Sequence, residues 1–328
     1  MTKPSRRPQV RHKPTKRVRY RVRNWRAYER GLVRRGEITL WFDRRLVKRW
    51  RAPKSGKRGA SPTYTDAVIA CLLTLKAVFH LGNREVEGLA RSILKLMRVK
   101  LPTPDHTTLS RRGGRLAVAL PVQAAGEPVH LLLDSTGVQI FGPSAWREWQ
   151  DQRWRQAQRG QHDFRKLHLA VNADTQEIVA VEVTDKFAHD KEQVERLLAQ
   201  VPGAIARVTA DGNYDFNSAR EAIAARGARD VIPPRADAVI NPAHPRPERD
   251  QAVRRIAQLG SRKAWKRESG YHRRSLIETT IYRLKARLGQ RLRSRENTRQ
   301  IQEARIWCSL LNRLTRLGLP DSVPLLTR

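Results

Sequence analysis

The chain has 328 residues, of which 66 are Lys or Arg and 31 are Asp or Glu, giving a formal net charge of +35 with a 39% hydrophobic share. That is enough apolar material for a buried core, and the length suggests about two domains. No run of about 18 apolar residues occurs to span a membrane, no apolar segment follows the basic N-terminus as in a secretory signal, and no basic amphipathic anchor suits an anionic membrane surface.

Positive charge spread along the whole chain points to a nucleic acid as the polyanionic partner. Residues 1–23 read as a disordered basic arm: there are eleven Lys and Arg and no acid through Arg26. Residues 24–58 suggest a short helix and an extended piece, ending in the linker "APKSGKRGAS". "TYTDAVIACLLTLKAVFH" is an apolar helix with Thr65 or Asp66 as its cap. "LGNREVEGLARSILKLM" is a second helix, and "TPDHTTLSRRGGRL" a short, polar, basic third one capped by Thr103 or Asp105. Three such helices fit a DNA-binding helix-turn-helix layout, and equally a bundle that only packs. Cys71 and Cys308 lie in apolar helical patterns, as core thiols rather than a disulfide or a metal site.

From about residue 128 the texture changes. "PVHLLLDSTGVQIFG" reads as a buried strand broken at Asp134, and "FRKLHLAVNADTQEIVAVEVTD" as a hairpin. A helix follows in "DKEQVERLLAQV", then a strand in "AIARVTADGNYD" ending at Asp211, a helix closed by Gly227 and a strand in "DVIPP". Residues 235–270 are polar, basic and Pro-broken, like an insertion, and the final helices span about 272–288 and 296–317. The resulting division is 24–125 as a helical DNA-binding region, 126–318 as a catalytic domain and 319–328 as a tail.

Asp134 and Asp211 each follow an apolar strand, and Glu278 is an isolated acid in a basic, apolar helix. Each Asp alone is ordinarily a turn or cap residue. Gathered together, three carboxylates repel and lose hydration, and a divalent cation removes both costs. Mg²⁺ takes oxygen ligands, and a pair of ions serves in-line phosphoryl transfer. Tyr271, Arg274, Glu278 and Lys285 stand at offsets 0, 3, 7 and 14, which places them on one stripe of a helix.

Tyr-x2-Arg-x3-Glu-x6-Lys, matched here by Tyr271, Arg274, Glu278 and Lys285, resembles the YREK signature of DDE transposases from bacterial insertion sequences. "LLLDSTGVQIFG", "RKLHLAVNADTQEIVAVEVTD" and "TADGNYD" are similar to conserved segments of the insertion-sequence-five family, and "YTDAVIACLLTLKAVFHLGNREVEGLARSI" and "TPDHTTLSRR" to its N-terminal helical region. The resemblance covers about residues 60–317. It implies an α/β fold with a ribonuclease H-like core, a mixed five-strand sheet flanked by helices. It further implies Asp134, Asp211 and Glu278 as catalytic ligands of two Mg²⁺ ions, with Mn²⁺ as a substitute. Tyr271, Arg274 and Lys285 would contact double-stranded DNA at the transposon ends. A homodimer on DNA, no small-molecule substrate and a bacterial, nucleoid-associated, cytoplasmic location are the further expectations.

Where the family has Gly, this chain has Asn213, which tolerates a left-handed turn. Asp215 reads as a helix cap, and His168 as a core histidine or a neighbour of the carboxylates. Arg165 and Lys166 are candidate DNA contacts. Trp265 is a candidate for stacking on an unpaired base, or for packing. Trp146, Trp149 and Trp154 sit in an Arg/Gln-rich stretch suited to a backbone contact. The alternatives are a catalytically inactive, transposase-derived DNA-binding protein and a nuclease without strand transfer.

Overall fold

The structure is a computed structural model that describes residues 20–54, 56, 58–59, 61–120, 127–140, 164–243 and 245–325. Most of the basic arm and the Trp146, Trp149 and Trp154 stretch lie outside these residues. The N-terminal elements are β1 (Tyr20–Val22), α1 (Trp25–Arg34), a 3-10 turn (Ile38–Leu40), α2 (Arg44–Lys48), α3 (Asp66–Val78), α4 (Asn83–Leu96) and α5 (His106–Gly113). Asp105 caps α5 as its spacing suggested, accepting from the Thr108 N–H at 2.7 Å. Thr65 holds the cap position of α3, but its hydroxyl donates to the Arg49 carbonyl at 2.7 Å instead.

The chain continues as β2 (Val129–Ile140), β3 (Phe164–Asn172), β4 (Ile178–Thr184), α6 (Val194–Ala199), β5 (Ile205–Thr209), α7 (Asn217–Ala225), β6 (Arg229–Val231), α8 (Pro247–Leu259), α9 (Arg262–Glu268), α10 (Ser275–Leu288), β7 (Arg291–Leu292), α11 (Asn297–Arg316) and β8 (Ser322–Pro324). The main sheet runs β4-β3-β2-β5-β6, with β7 added beside the far end of β2. β3 is antiparallel to both neighbours, while β5, β6 and β7 join in parallel. This mixed sheet flanked by helices is the ribonuclease H-like arrangement, with six strands where five were expected. The β3–β4 hairpin turns at Asn172, whose Oδ1 accepts from the Asp174 and Thr175 N–H groups at 2.8 and 3.2 Å.

Side-chain alternation divides the sheet between two cores. Leu131 and Leu133 pack with Leu197, Val208 and Ile223 under α6 and α7. Leu132, Leu167 and Leu169 pack on the other face with Ile277 and Leu284 of α10 and Trp307 of α11. That second core continues without a break into Trp41, Leu72 and Leu109 of the N-terminal helices. Cys71 and Cys308 are free thiols at this core, and burial pushes both up to about 12.

Three expectations are corrected. β2 is not broken at Asp134 but continues to Ile140. The supposed insertion contains α8 and α9, which bury Ala252 and Trp265 against Val231. The described parts of arm and tail are structured: β1 pairs with β8, and Arg23 bonds Asp321 at 2.6 Å. Gly31 permits this closure, since a Cβ there would meet the Leu317 carbonyl oxygen at 2.3 Å.

Candidate active site

By the alternation of β2, Asp134 shares the face of Leu132, toward α10. Asp211 stands two residues past β5, the parallel neighbour of β2, and opens the 3-10 turn Gly212–Tyr214. Its Oδ1 accepts from the Asn213 N–H at 2.9 Å and its Oδ2 from the Asn213 side-chain amide at 3.2 Å. Asn213 thus supports the acid directly, and its φ is not positive, so the left-handed turn expected there is absent. Glu278 lies in the first turn of α10, with its side chain 55% exposed. The buried face of that helix is Ile277, Thr280, Leu284 and Leu288. Glu278 therefore flanks the apolar stripe instead of interrupting it.

One guanidinium ties the three acids together. Arg274 Nη2 lies 3.0 Å from Asp134 Oδ2 and 3.7 Å from Asp211 Oδ2, and Nη1 lies 2.5 Å from Glu278 Oε1. Burial raises the Asp134 pKa above the usual carboxylate value, against the Ser135 N–H and Arg274, which favour the anion. Burial also opposes the Arg274 cation, but Asp134, Tyr271 and Glu278 outweigh it and hold its pKa above the ordinary value.

Tyr271 is on a 3-10 turn (Tyr271–Arg274), ahead of α10, so its place is not set by the helical stripe assumed from the spacing. The ring centroids of Tyr271 and Trp265 are 6.4 Å apart, and Lys266 Nζ sits 4.9 Å from the Tyr271 centroid. Burial raises the Tyr271 pKa. Trp265 is 7% exposed, so it props the turn from inside and does not present a stacking face. Lys285 is two turns beyond Glu278 on α10 and partly buried, which lowers its pKa.

Arg165 and Lys166 are the second and third residues of β3, paired with Val138 and Gly137 beyond Asp134. Arg165 donates to Gln300 Oε1 at 2.8 Å, and Lys166 Nζ pairs with Asp190 Oδ1 at 2.8 Å. His168 is fully buried on the sheet face opposite Leu167 and Leu169, with Nε2 2.9 Å from Thr184 Oγ1 and Nδ1 3.1 Å from Asp190 Oδ1. Asp190 is a residue the sequence reading passed over. Burial works to raise its pKa, but bonds from His168, Lys166 and Ser135 outweigh this and hold it below the normal range. It thereby ties β3 to the residue next to Asp134. Its sequence context, the start of an amphipathic helix, carried no sign of this.

Arg273 was likewise missed among three consecutive basic residues. Its Nη2 donates to the Ala173 carbonyl at 2.9 Å and to Asp174 Oδ1 at 2.5 Å, pinning the Tyr271–Arg274 turn to the hairpin. Asp215 is structural, though not as a cap. Its buried Oδ1 meets Arg220 Nη2 at 2.9 Å and Arg249 Nε at 3.3 Å, and its Oδ2 accepts the Arg235 N–H at 2.9 Å.

Hard carboxylate oxygens from three elements, one of them largely desolvated, form a donor set suited to Mg²⁺. As arranged around Arg274, no three His, Cys, Asp or Glu among the described residues close tightly enough to ligate one ion. The donors fit the metal in kind, and the guanidinium competes for the same oxygens.

An acid cluster at the centre of a ribonuclease H-like sheet defines a candidate polynucleotidyl-transfer enzyme. Two models of a transposase DDE domain match the chain, over residues 33–143 and 125–313, and the chain belongs to the DDE transposases. Among solved structures it is similar to the piggyBac transposase synaptic complex with hairpin DNA, at 11% identity and a TM-score of 0.40, covering 86% of this chain and 73% of that one. It is also similar to the Drosophila P element transposase strand transfer complex (14%, TM-score 0.27, 53% and 38% covered). A third similarity is to the Mos1 transposase paired-end complex with left transposon end (10%, TM-score 0.22, 56% and 62% covered). The chain spans less than two thirds of the last two.

Proposed function

We propose that the protein cuts double-stranded DNA at the ends of its own element and joins the freed end to target DNA, as a dimer on DNA. The observation that carries this is the convergence of Asp134 of β2, Asp211 just past the adjacent β5 and Glu278 of α10 on the single side chain of Arg274. Asp134 and Asp211 would hold Mg²⁺, with Glu278 completing the set. When bound, the metal supplies charge stabilisation and activation of the attacking oxygen. In the first reaction water adds to a phosphorus and the 3′ oxygen leaves with a proton. In the second that 3′ hydroxyl attacks a target phosphorus, forming a new P–O bond as the target's own bond from phosphorus to its 3′ oxygen breaks and that oxygen leaves with a proton.

The chain's own residues orient the DNA. Lys285, two helical turns from Glu278, offers a cation to a phosphate neighbouring the reacting one. Tyr271 offers a hydroxyl donor, held in place by Trp265. The net charge of +35 supplies affinity that is independent of sequence. The test is incubation of the purified protein with an end-bearing duplex in Mg²⁺ or Mn²⁺. Nicking at the element boundary followed by joining to a plasmid is the expected result. Binding without nicking overturns the enzymatic reading, and nicking without joining reduces it to a nuclease.

A further inference from the structure

A second concave surface carries charge for which the carboxylate site has no use. It is a groove of about 730 Å³ between the end of α3, the start of α4, α5 and the segment after β7. Lys76, Arg84, Arg111, Arg293 and Arg295 all line it. Two acids beside these cations, Glu85 in the lining and Glu303 behind it, accept hydrogen bonds from backbone N–H groups. Glu85 Oε2 accepts the Gly82 N–H at 2.5 Å, and Glu303 accepts the N–H groups of Arg293 and Ser294 at 2.9 and 2.8 Å. Among the described residues, no carboxylate lies within ion-pair distance of Arg84, Arg111 or Arg295. Lys76 is half-buried, and burial, reinforced by Arg293 and Arg299 against the pull of Glu303, lowers its pKa. Five cations collected in a concavity whose lining holds one carboxylate, Glu85, repel one another, and an anion spanning them relieves that repulsion.

The shape decides what kind of anion. Base edges lie on the floor of a major groove roughly 8.5 Å deep, so a reading helix must project. Here α5 contributes His106, Thr107, Ser110 and Arg111 to the wall of a concavity, which suits the projecting phosphate ridge of a duplex. Contacts from guanidinium, ammonium and hydroxyl groups to phosphate oxygens fix a duplex in register and carry no sequence information directly. We propose that this groove clamps the phosphate backbone of duplex DNA without reading its sequence, as a site separate from the carboxylates. The inference rests on the DNA substrate of the preceding section, but on different residues.

The test replaces Arg84, Arg111 and Arg295 together with Ala in the full chain and measures affinity by fluorescence anisotropy across a salt series. Two duplexes of equal length are used, one bearing the element end and one scrambled. Arg84→Ala alone is carried in parallel in case the triple variant melts early by circular dichroism. The expected result is a plot of log K against log salt that is shallower by about 2 to 3 for the triple variant and about 1 for the single one, equally on both duplexes. An unchanged slope overturns the groove as a phosphate site. A loss confined to the end-bearing duplex overturns its indifference to sequence. Nicking by the wild-type protein is scored separately. A wild type that binds through the groove but never nicks refutes the catalytic proposal and leaves this one standing.

Discussion

Arg274 Nη2 reaches Asp134 Oδ2 at 3.0 Å across 140 positions of sequence, while the same side chain holds Glu278 four residues away. The guanidinium is thus the counter-ion of the whole acid cluster, and a divalent cation must compete with it for the same oxygens. Arg274→Ala is expected to tighten Mn²⁺ binding in the absence of DNA, by roughly tenfold, which is about 1.4 kcal/mol. Electron paramagnetic resonance of free Mn²⁺ measures this. Weaker or unchanged Mn²⁺ binding would show that Arg274 organises the carboxylates more than it competes with the metal.

Asp134→Asn keeps the shape of the side chain and removes its charge. Cleavage is expected to fall by at least about 10²–10³-fold, the scale on which a charge-stabilising group matters. Duplex affinity should stay within about twofold, because it comes from the basic surplus. Gel-shift and nicking assays on one preparation give both numbers. A variant that still cuts at the wild-type rate means Asp134 has been assigned the wrong role.

The reach and the failures of the sequence reading share a physical origin. Asp134 and Asp211 stood out because apolar runs announce buried strands locally, and the order of strands and helices followed from the same short-range periodicity. The continuation of β2 past Asp134 was hidden, since Ser135, Thr136 and Gly137 carry no apolar alternation and are held by pairing with His168, Leu167 and Lys166. α8 and α9 were hidden because Ala252, Ile256, Leu259 and Trp265 are sparse among charged neighbours, and their burial depends on one another and on Val231 of β6. For Arg274 the resemblance implied a DNA contact, a role separate from the carboxylate contacts that the fold gives it. Its distances to Asp134 and Asp211 are tertiary facts that helical spacing does not contain. Asp190 illustrates the same limit, since its partners come from β2 and β3.

Asp215 makes the buried ion cluster beneath the site a determinant of stability. Its side chain is 2% exposed, and Arg220, 7% exposed, meets both Asp215 and Asp230. Removing one acid leaves a buried guanidinium undercompensated, so Asp215→Ala is expected to destabilise the fold by about 3–5 kcal/mol. Urea denaturation, read from the midpoint at constant slope, measures the change. A loss below about 1 kcal/mol would mean that Asp230 and the Ile232 carbonyl suffice for Arg220.

His130 gives the fold an acid-sensitive point. It is 8% exposed on β2, with Nε2 2.8 Å from Thr209 Oγ1 and Nδ1 3.5 Å from Arg273 Nη1. Burial first, then Arg273 and Arg207, lower its pKa from 6.5 to about 4, with Asp174 opposing. Between those two values the unfolded chain binds more protons at this position than the folded one, so stability at this group rises with pH. Acidification from about 6.5 to about 4 should therefore remove up to about 3 kcal/mol, with no further loss from this group below that window. His130→Gln keeps a polar partner for Thr209 and cannot titrate, so the difference between the two proteins isolates this residue from the acids nearby. Urea midpoints at pH steps from 4 to 7.5 should converge toward the acid end. Parallel curves across that range would mean that His130 takes up its proton as readily in the folded chain as in the unfolded one.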